Sequence, residues 1–278
     1  MRRPCFAGRA LSPVTVVNMK RRHVLSAVTA SAFIDLSATA AESSNHFLEI
    51  RQWRLHNTTE EQPKRVAEYL EKGFGPALER AGAKLAGSFS NFIGTDGPYY
   101  ITVAEFRSWA AIGDALNAMR ADEAHKGELQ KLSAGQGLPF VRVESSLLRC
   151  FDAMPTVLAD NSAAPASPRI FELRTYESQT FATLPRKVNM FNRGEMQIFQ
   201  RLGMRPVFFG ETLVGPKQPN LMYMLSYNDW DARDRLWKEF SSDPEWKKLS
   251  GVPEMKDPQI VSNISNVILK PMAFSALR

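Results

Sequence analysis

Two short stretches of the chain carry the residue types best suited to chemistry at a regular spacing. Leu48-Glu49-Ile50-Arg51-Gln52-Trp53 is matched, 123 positions later, by Phe171-Glu172-Leu173-Arg174-Thr175-Tyr176. Both read apolar, Glu, apolar, Arg, polar, aromatic. Side chains alternate along a strand, so Glu49, Arg51 and Trp53 share one face, and Glu172, Arg174 and Tyr176 share another. Leu48, Ile50, Phe171 and Leu173 take the opposite faces. Such a triplet can work in two ways. The planar fork of the Arg can clamp a carboxylate or carbonyl while the aromatic ring stacks on the rest of a ligand. Alternatively, Glu and Arg neutralise each other, as charges withdrawn from water must, and only fix how elements dock. These six residues are the candidate ligand-binding set.

Other chemistries lack their residues. Cys5 falls in the N-terminal leader and leaves Cys150 alone in the body, so neither an intramolecular disulfide nor a zinc site can be built. The body's histidines, His46, His56 and His125, all precede the second stretch, so a haem there would lack a histidine ligand. His125 follows Asp122 in a short helical piece and is expected to face solvent. Trp230, Trp237 and Trp246 read as core packing rather than a stacking wall. There is no Gly-rich phosphate loop, no Ser-His-Asp order and no His/Cys cluster at metal spacing. No cofactor and no metal is expected.

The doubled stretch is the start of a longer duplication. From residue 82 an offset of 121 pairs Gly82 with Gly203, Gly94 with Gly215, Pro98 with Pro219, Trp109 with Trp230 and Asp122 with Asp243. Internal repetition on this scale means two copies of one structural unit. In the first copy the patterns predict a strand at 47–55, a helix over 61–81 kinked or divided by Pro76, strands at 84–93 and 99–106, a helix capped by Ser108, a short helix from Asp122, and a strand at 141–150. The second copy predicts a strand at 170–177, a helix at 183–202, strands at 205–214 and 220–227, helices opening at Asp229 and Asp243, and a strand at 262–270. Trp109 and Trp230 are expected to pack matching helix starts. Each half reads β-α-β-β-α-β, the ferredoxin-like plan, in an α+β chain. Residues 46–151 and 169–275 are the two repeats, and the Ala-, Pro- and Ser-rich residues 152–168 are the linker. A four-stranded sheet with helices on one face needs a cover on the other. Two copies supply it by packing sheet to sheet, with both Glu-Arg-aromatic faces turned inward and the apolar faces under the helices.

The net charge of +6 over 278 residues is concentrated at the start. Residues 1–41 hold six Lys or Arg and one acid, leaving 29 basic against 28 acidic residues in the body. A near-neutral body excludes a nucleic-acid footprint, and no run after residue 41 is long enough to span a membrane. Met19-Lys20-Arg21-Arg22, an apolar run to Ile34 and Ala38-Thr39-Ala40 follow the plan of an export signal of the twin-arginine type. Residues 1–41 are thus read as signal plus extension, with Met19 as a second candidate start, a mature chain from about Glu42 and a periplasmic address. A mitochondrial presequence is the rival.

The Phe-Glu-Leu-Arg-Thr-Tyr strand, the Gly203-Met204 turn and the Leu225-x-Tyr227-x-x-Trp230 junction resemble the NIPSNAP family. The resemblance covers residues 47–151 and 170–272 and is stronger in the second copy, since the first has Trp53 where the second has Tyr176 and Phe106 where it has Tyr227. It implies the dimeric α/β-barrel superfamily, which holds cofactor-free monooxygenases, haem enzymes and stress-response proteins, and it implies no agreed activity. The reading is a protein that binds a small, partly apolar ligand or a protein partner, with homo-oligomer formation open. The alternative is a cofactor-independent monooxygenase or isomerase working in a cavity between the two sheets.

Overall fold

Period-two alternation gives the strands almost as the sequence places them: β1 (Phe47–Arg54), β2 (Lys84–Ile93), β3 (Tyr99–Phe106), β4 (Arg142–Cys150), β5 (Ile170–Glu177), β6 (Arg205–Val214), β7 (Asn220–Tyr227) and β8 (Asn263–Pro271). The computed structural model describes residues 45–57, 59–158 and 169–278. The leader at 1–41 and the linker's residues 159–168 lie outside the described residues. All strand pairs are antiparallel, and the sheet closes in the order β1-β3-β2-β8-β5-β7-β6-β4. Within each half the first strand lies between the third and the fourth, and the second pairs with the third. Two shorter seams, β2 with β8 and β4 with β6, join the halves, each with one register shift.

The expected orientation of the strands is reversed. Leu48, Ile50, Phe171 and Leu173 belong to one buried cluster with Phe89, Ile101, Val103, Phe208, Met224 and Leu269, drawn from both halves. The Phe89 and Phe171 ring centroids, one from each half, are 4.8 Å apart. This cluster is the barrel interior, so the apolar faces point inward and the Glu-Arg-aromatic faces lie under the helices. The physical reason is size. A closed eight-stranded barrel is just wide enough for side chains to fill it. Two ion pairs there would lose their water with little room for further hydrogen-bond partners. Val157 of the linker and Leu277 near the C-terminus pack against the same cluster. The described part of the linker is bonded to the barrel, through Val157 N–H to Glu105 Oε1 at 2.9 Å and Leu158 N–H to Val207 O at 2.9 Å.

The helices repeat as the strands do. The first half has α1 (Gln62–Tyr69), a π turn at Leu70–Phe74, α2 (Gly75–Arg80), α3 (Trp109–Ala121) and α4 (Glu123–Ser133). The second has α5 (Leu184–Met190), a π turn at Phe191–Glu195, α6 (Met196–Arg201), α7 (Trp230–Ser242), α8 (Pro244–Ser250) and a short α9 (Asp257–Ile260). Pro76 does not cause the break in the first helix, because the second half has the same π turn without a proline. Ser108, Asp122, Asp229 and Asp243 all accept backbone N–H groups as N-caps. Gly82 and Gly203 close matching helices at φ +78° and +82°, where a Cβ would be strained. Trp109 and Trp230 depart from expectation: they are 52% and 37% exposed, at the surface end of their helices. The first residue of an amphipathic helix is poorly placed to reach a sheet that the middle turns already cover.

Candidate functional site

The strand positions of the two triplets are equivalent, but their surroundings are not. In the second half Glu172 is 0% exposed and accepts from five donor atoms. Arg174 Nη1 donates at 2.8 Å, Arg233 Nε at 3.0 Å and Nη2 at 2.8 Å, Trp237 Nε1 at 3.1 Å and Asn266 Nδ2 at 3.1 Å. Arg174 also donates to the Tyr176 hydroxyl at 3.1 Å and lies 4.5 Å from the centre of the Trp237 ring. Burial works to raise the Glu172 pKa, but the Arg233 and Arg174 guanidiniums and the Trp237 N–H outweigh it and hold the carboxyl below the usual carboxylate range. Beneath this group lies a second buried pair, with Lys187 Nζ 2.9 Å from Glu195 Oε2 and near the rings of Tyr176, Phe191 and Trp246. Burial opposes the Lys187 ammonium, and the Glu195 and Asp257 carboxylates more than offset it, raising its pKa. The space between β5 and the helices is thus closed by paired charges and aromatic rings.

In the first half Glu49 and Arg51 form a tighter but more isolated pair. Arg51 Nη2 donates to both Glu49 oxygens at 2.8 Å, and Nε donates to Oε1 at 3.2 Å. Arg51 Nη1 has no protein acceptor among the described residues. Trp53 does not reach a ligand space. Its Nε1 donates to Thr102 Oγ1 at 3.2 Å, and its ring meets Tyr69, Phe74 and Phe140 edge to face. Next to Glu49 and Arg51, and below α3 and α4, is a cavity of about 270 Å³. Phe74, Phe106, Leu116 and Met119 make apolar wall, and Arg120 and Lys126 also line it.

Position by position, the cavity follows from side-chain size. At the offset of 121, Leu78, Leu116, Met119 and His125 of the first half correspond to Phe199, Trp237, Phe240 and Trp246 of the second. All four replacements are larger, and Phe199, Trp237, Phe240 and Trp246 pack ring to ring, with centroids 4.5–5.9 Å apart. Their counterparts cannot fill the same volume, and the space stays open.

His125 corrects another expectation. It is 7% exposed and faces the cavity, not solvent. Its Nδ1 is 2.9 Å from Met119 O and its Nε2 is 2.9 Å from the Tyr69 hydroxyl. A carbonyl only accepts, so Nδ1 carries a proton. In the neutral ring Nε2 then accepts from Tyr69 O–H. Burial pushes the Tyr69 phenol up to about 12, with Arg51 pulling the other way. The π turn sets this geometry. A Cβ on Gly73 would lie 2.7 Å from Glu128 Cβ, so a glycine there lets α4 sit against the turn and bring His125 over Tyr69. π turns of this kind are frequent at functional sites. The sequence held a signal for His125: its counterpart Trp246 reads as core, and a position that is core in one copy is a candidate for core in the other.

The comparisons with known proteins agree with this architecture. Residues 171–276 match the model of the NIPSNAP family. The second half is a NIPSNAP domain. Its match spans β5 to β8, so it includes Glu172, Arg174, Tyr176, Arg233 and Trp237. Among solved structures, a candidate monooxygenase from Lactobacillus acidophilus NCFM is similar with a TM-score of 0.55 at 13% identity, over 82% of this chain and 94% of its own. A second candidate monooxygenase, from Fusobacterium nucleatum, has a TM-score of 0.54 at 10% identity, over 82% of this chain and 93% of its own. These two share the fold, an α+β closed antiparallel barrel. A NIPSNAP-like domain protein from Burkholderia xenovorans is 24% identical over 38% of this chain and 88% of its own, with a TM-score of 0.34. No curated relative matches the chain.

Proposed function

We propose that this protein binds a small, mostly apolar molecule bearing one oxygen head group, and that the site is the cavity of the first half. One observation carries this reading: the cavity sits on the Glu49–Arg51 pair at the position where the NIPSNAP domain is filled by Trp237 and its neighbours. Its volume of about 270 Å³ suits a one- or two-ring compound. The spare Nη1 of Arg51 supplies a donor to an oxygen, and Arg120 and Lys126 favour a negative one. The set Glu49, Arg51, Trp53, Glu172, Arg174 and Tyr176 therefore divides. Glu49 and Arg51 are proposed as ligand contacts, Trp53 as their support, and the second triplet as the brace of a closed half.

The test is binding of 2-naphthoate followed by ligand-observed NMR. Wild-type protein should bind it, and Leu116→Trp, which puts the bulk of Trp237 into the cavity, should abolish binding with an unchanged circular dichroism spectrum. Binding that survives Leu116→Trp would sink the proposal.

The wider reading goes with it. The two halves are taken as tandem ferredoxin-like repeats, the first a diverged copy of the second, which the common strand order and common caps support. Export by the twin-arginine-like leader is part of the same proposal. Lys at both Arg21 and Arg22 should keep the full-length chain in the cytoplasm. The enzyme alternative moves from the space between the sheets, which is packed, to this cavity. What favours it is that the Tyr69–His125 pair faces the same space.

A further inference from the structure

We infer that Tyr69 and His125 form a proton relay that takes the proton of an acidic hydroxyl, a phenol or an enol, so that the ligand is held as its oxyanion beside Arg51. This rests on the cavity being the ligand site and names the class of compound it takes. The geometry dictates the direction of the relay. Because Nδ1 of His125 is committed to Met119 O, Nε2 is the ring's free base, and the Tyr69 hydroxyl is its donor. With its own proton given to Nε2, the Tyr69 oxygen is left to accept. A ligand hydroxyl can supply that proton, in a cavity whose lining includes the apolar Phe74, Leu78, Phe106 and Leu116.

The step balances as a double proton transfer. The ligand O–H bond breaks and its proton bonds to Tyr69 Oη. The Tyr69 proton passes to His125 Nε2. The electron pair of the broken bond stays on the ligand oxygen. Nothing is oxidised or reduced. The products are an oxyanion and an imidazolium, with Tyr69 O–H now directed at the oxyanion. Arg51, whose Nη1 has no protein acceptor among the described residues, lines the same cavity.

The other charges around the relay set which ligands it can ionise. Glu49 from β1 opposes an anion but is neutralised by Arg51 across two 2.8 Å contacts. Arg120 from α3 and Lys126 from α4 favour the anion, although Lys126 is paired with Glu123 at 2.6 Å. Tyr69 cannot act alone, because burial holds its phenol near a pKa of about 12. Its role is to pass a proton while staying neutral before and after. The final acceptor is an imidazole, a far weaker base than a phenolate, so an unactivated phenol is a poor donor to it and the class that fits is the acidic one: nitrophenols, hydroxyquinones and enols of 1,3-dicarbonyl compounds.

The probe is 4-nitrophenol, whose coloured anion reports ionisation directly and whose solution pKa lies near neutrality. Bound to wild-type protein, its ionisation midpoint should fall by about one pH unit or more, as expected for an anion facing nearby cations. His125→Gln is the discriminating variant. Its amide can still accept from Tyr69 and donate to Met119 O, so the packing survives, but it takes no proton. In that variant, and in Tyr69→Phe, the midpoint should return towards the value in free solution with an unchanged circular dichroism spectrum. An unaltered midpoint in His125→Gln would overturn the relay and leave the oxyanion to Arg51 alone. A wild-type midpoint equal to that in solution would also overturn it, with the cavity reading intact. If neither 4-nitrophenol nor 2-naphthoate binds the wild type, the cavity reading falls and the relay with it.

Discussion

The two halves carry the same Glu-x-Arg strand beneath their helices and use it in opposite ways. In the NIPSNAP domain the carboxylate of Glu172 is surrounded by two arginines, a tryptophan N–H and an asparagine, and the Trp237 ring packs with Phe199 and Phe240. In the first half Glu49 and Arg51 satisfy mainly each other, and the space above them is open. Strand chemistry alone therefore does not make a site. What separates a brace from a binding surface here is the size of the residues on the covering helices, Leu116 against Trp237 above all.

Breaking the brace should give the largest effect. Glu172→Leu leaves Arg174 and Arg233 without their common partner and should cost about 3–5 kcal/mol in urea unfolding, the usual loss when one member of a buried ionic group is removed. Arg174→Met should cost about 2 kcal/mol, since Glu172 keeps Arg233, Trp237 and Asn266. Arg51→Met should cost about 1 kcal/mol or less, because water in the cavity can solvate Glu49. Equal losses for Arg51 and Arg174 would erase the contrast between the halves.

Exchange of the covering residue sharpens it. Trp237→Leu should cost about 3 kcal/mol and open a cavity in the second half, readable as new binding of 2-naphthoate. Leu116→Trp, the reverse change, should alter stability by about 1 kcal/mol at most, since it fills an existing space.

A pH titration tests the brace of the second half by another route. The Glu172 pKa is lower in the folded chain than in the unfolded one, so its contribution is present above the ordinary carboxylate range. It is lost as pH falls through the depressed folded value. Acid unfolding of Glu172→Gln should lack that part of the slope. The smallest effect is expected at the exposed helix starts. Trp109→Ala and Trp230→Ala should each cost about 1 kcal/mol or less in the same assay, as surface changes do.

Much of this fold was legible because its signals are local. Alternation placed all eight strands to within a residue or two, and Ser108, Asp122, Asp229 and Asp243 announced their helices by capping chemistry. The offset of 121 relates β2, β3 and β4 to β6, β7 and β8, and Gly82 to Gly203. What the pattern could not show was which face of β1 and β5 turns inward. Two alternating faces are equivalent until closure of the barrel decides which one is enclosed. Spacing singles out Glu49 and Arg51, which line the cavity. It does not single out Tyr69 and His125, because their pairing joins α1 to α4 across 56 residues and has no local signature. Nor did the sequence distinguish the two triplets, since the difference lies in Leu78, Leu116 and Met119, residues that read as ordinary core until compared with Phe199, Trp237 and Phe240.

The closure of the sheet has a consequence for how the molecule can meet others. Each of the eight strands is hydrogen-bonded on both sides, and the β2–β8 and β4–β6 seams use up the edges that a single four-strand unit would expose. A free edge is a template on which any extended chain can add itself, and it must be guarded against misassembly. This barrel has none to guard. A peptide cannot be captured by strand addition, and a second copy cannot extend the sheet. Among the described residues, recognition of a partner then falls to side chains on the helical shell or at the barrel ends.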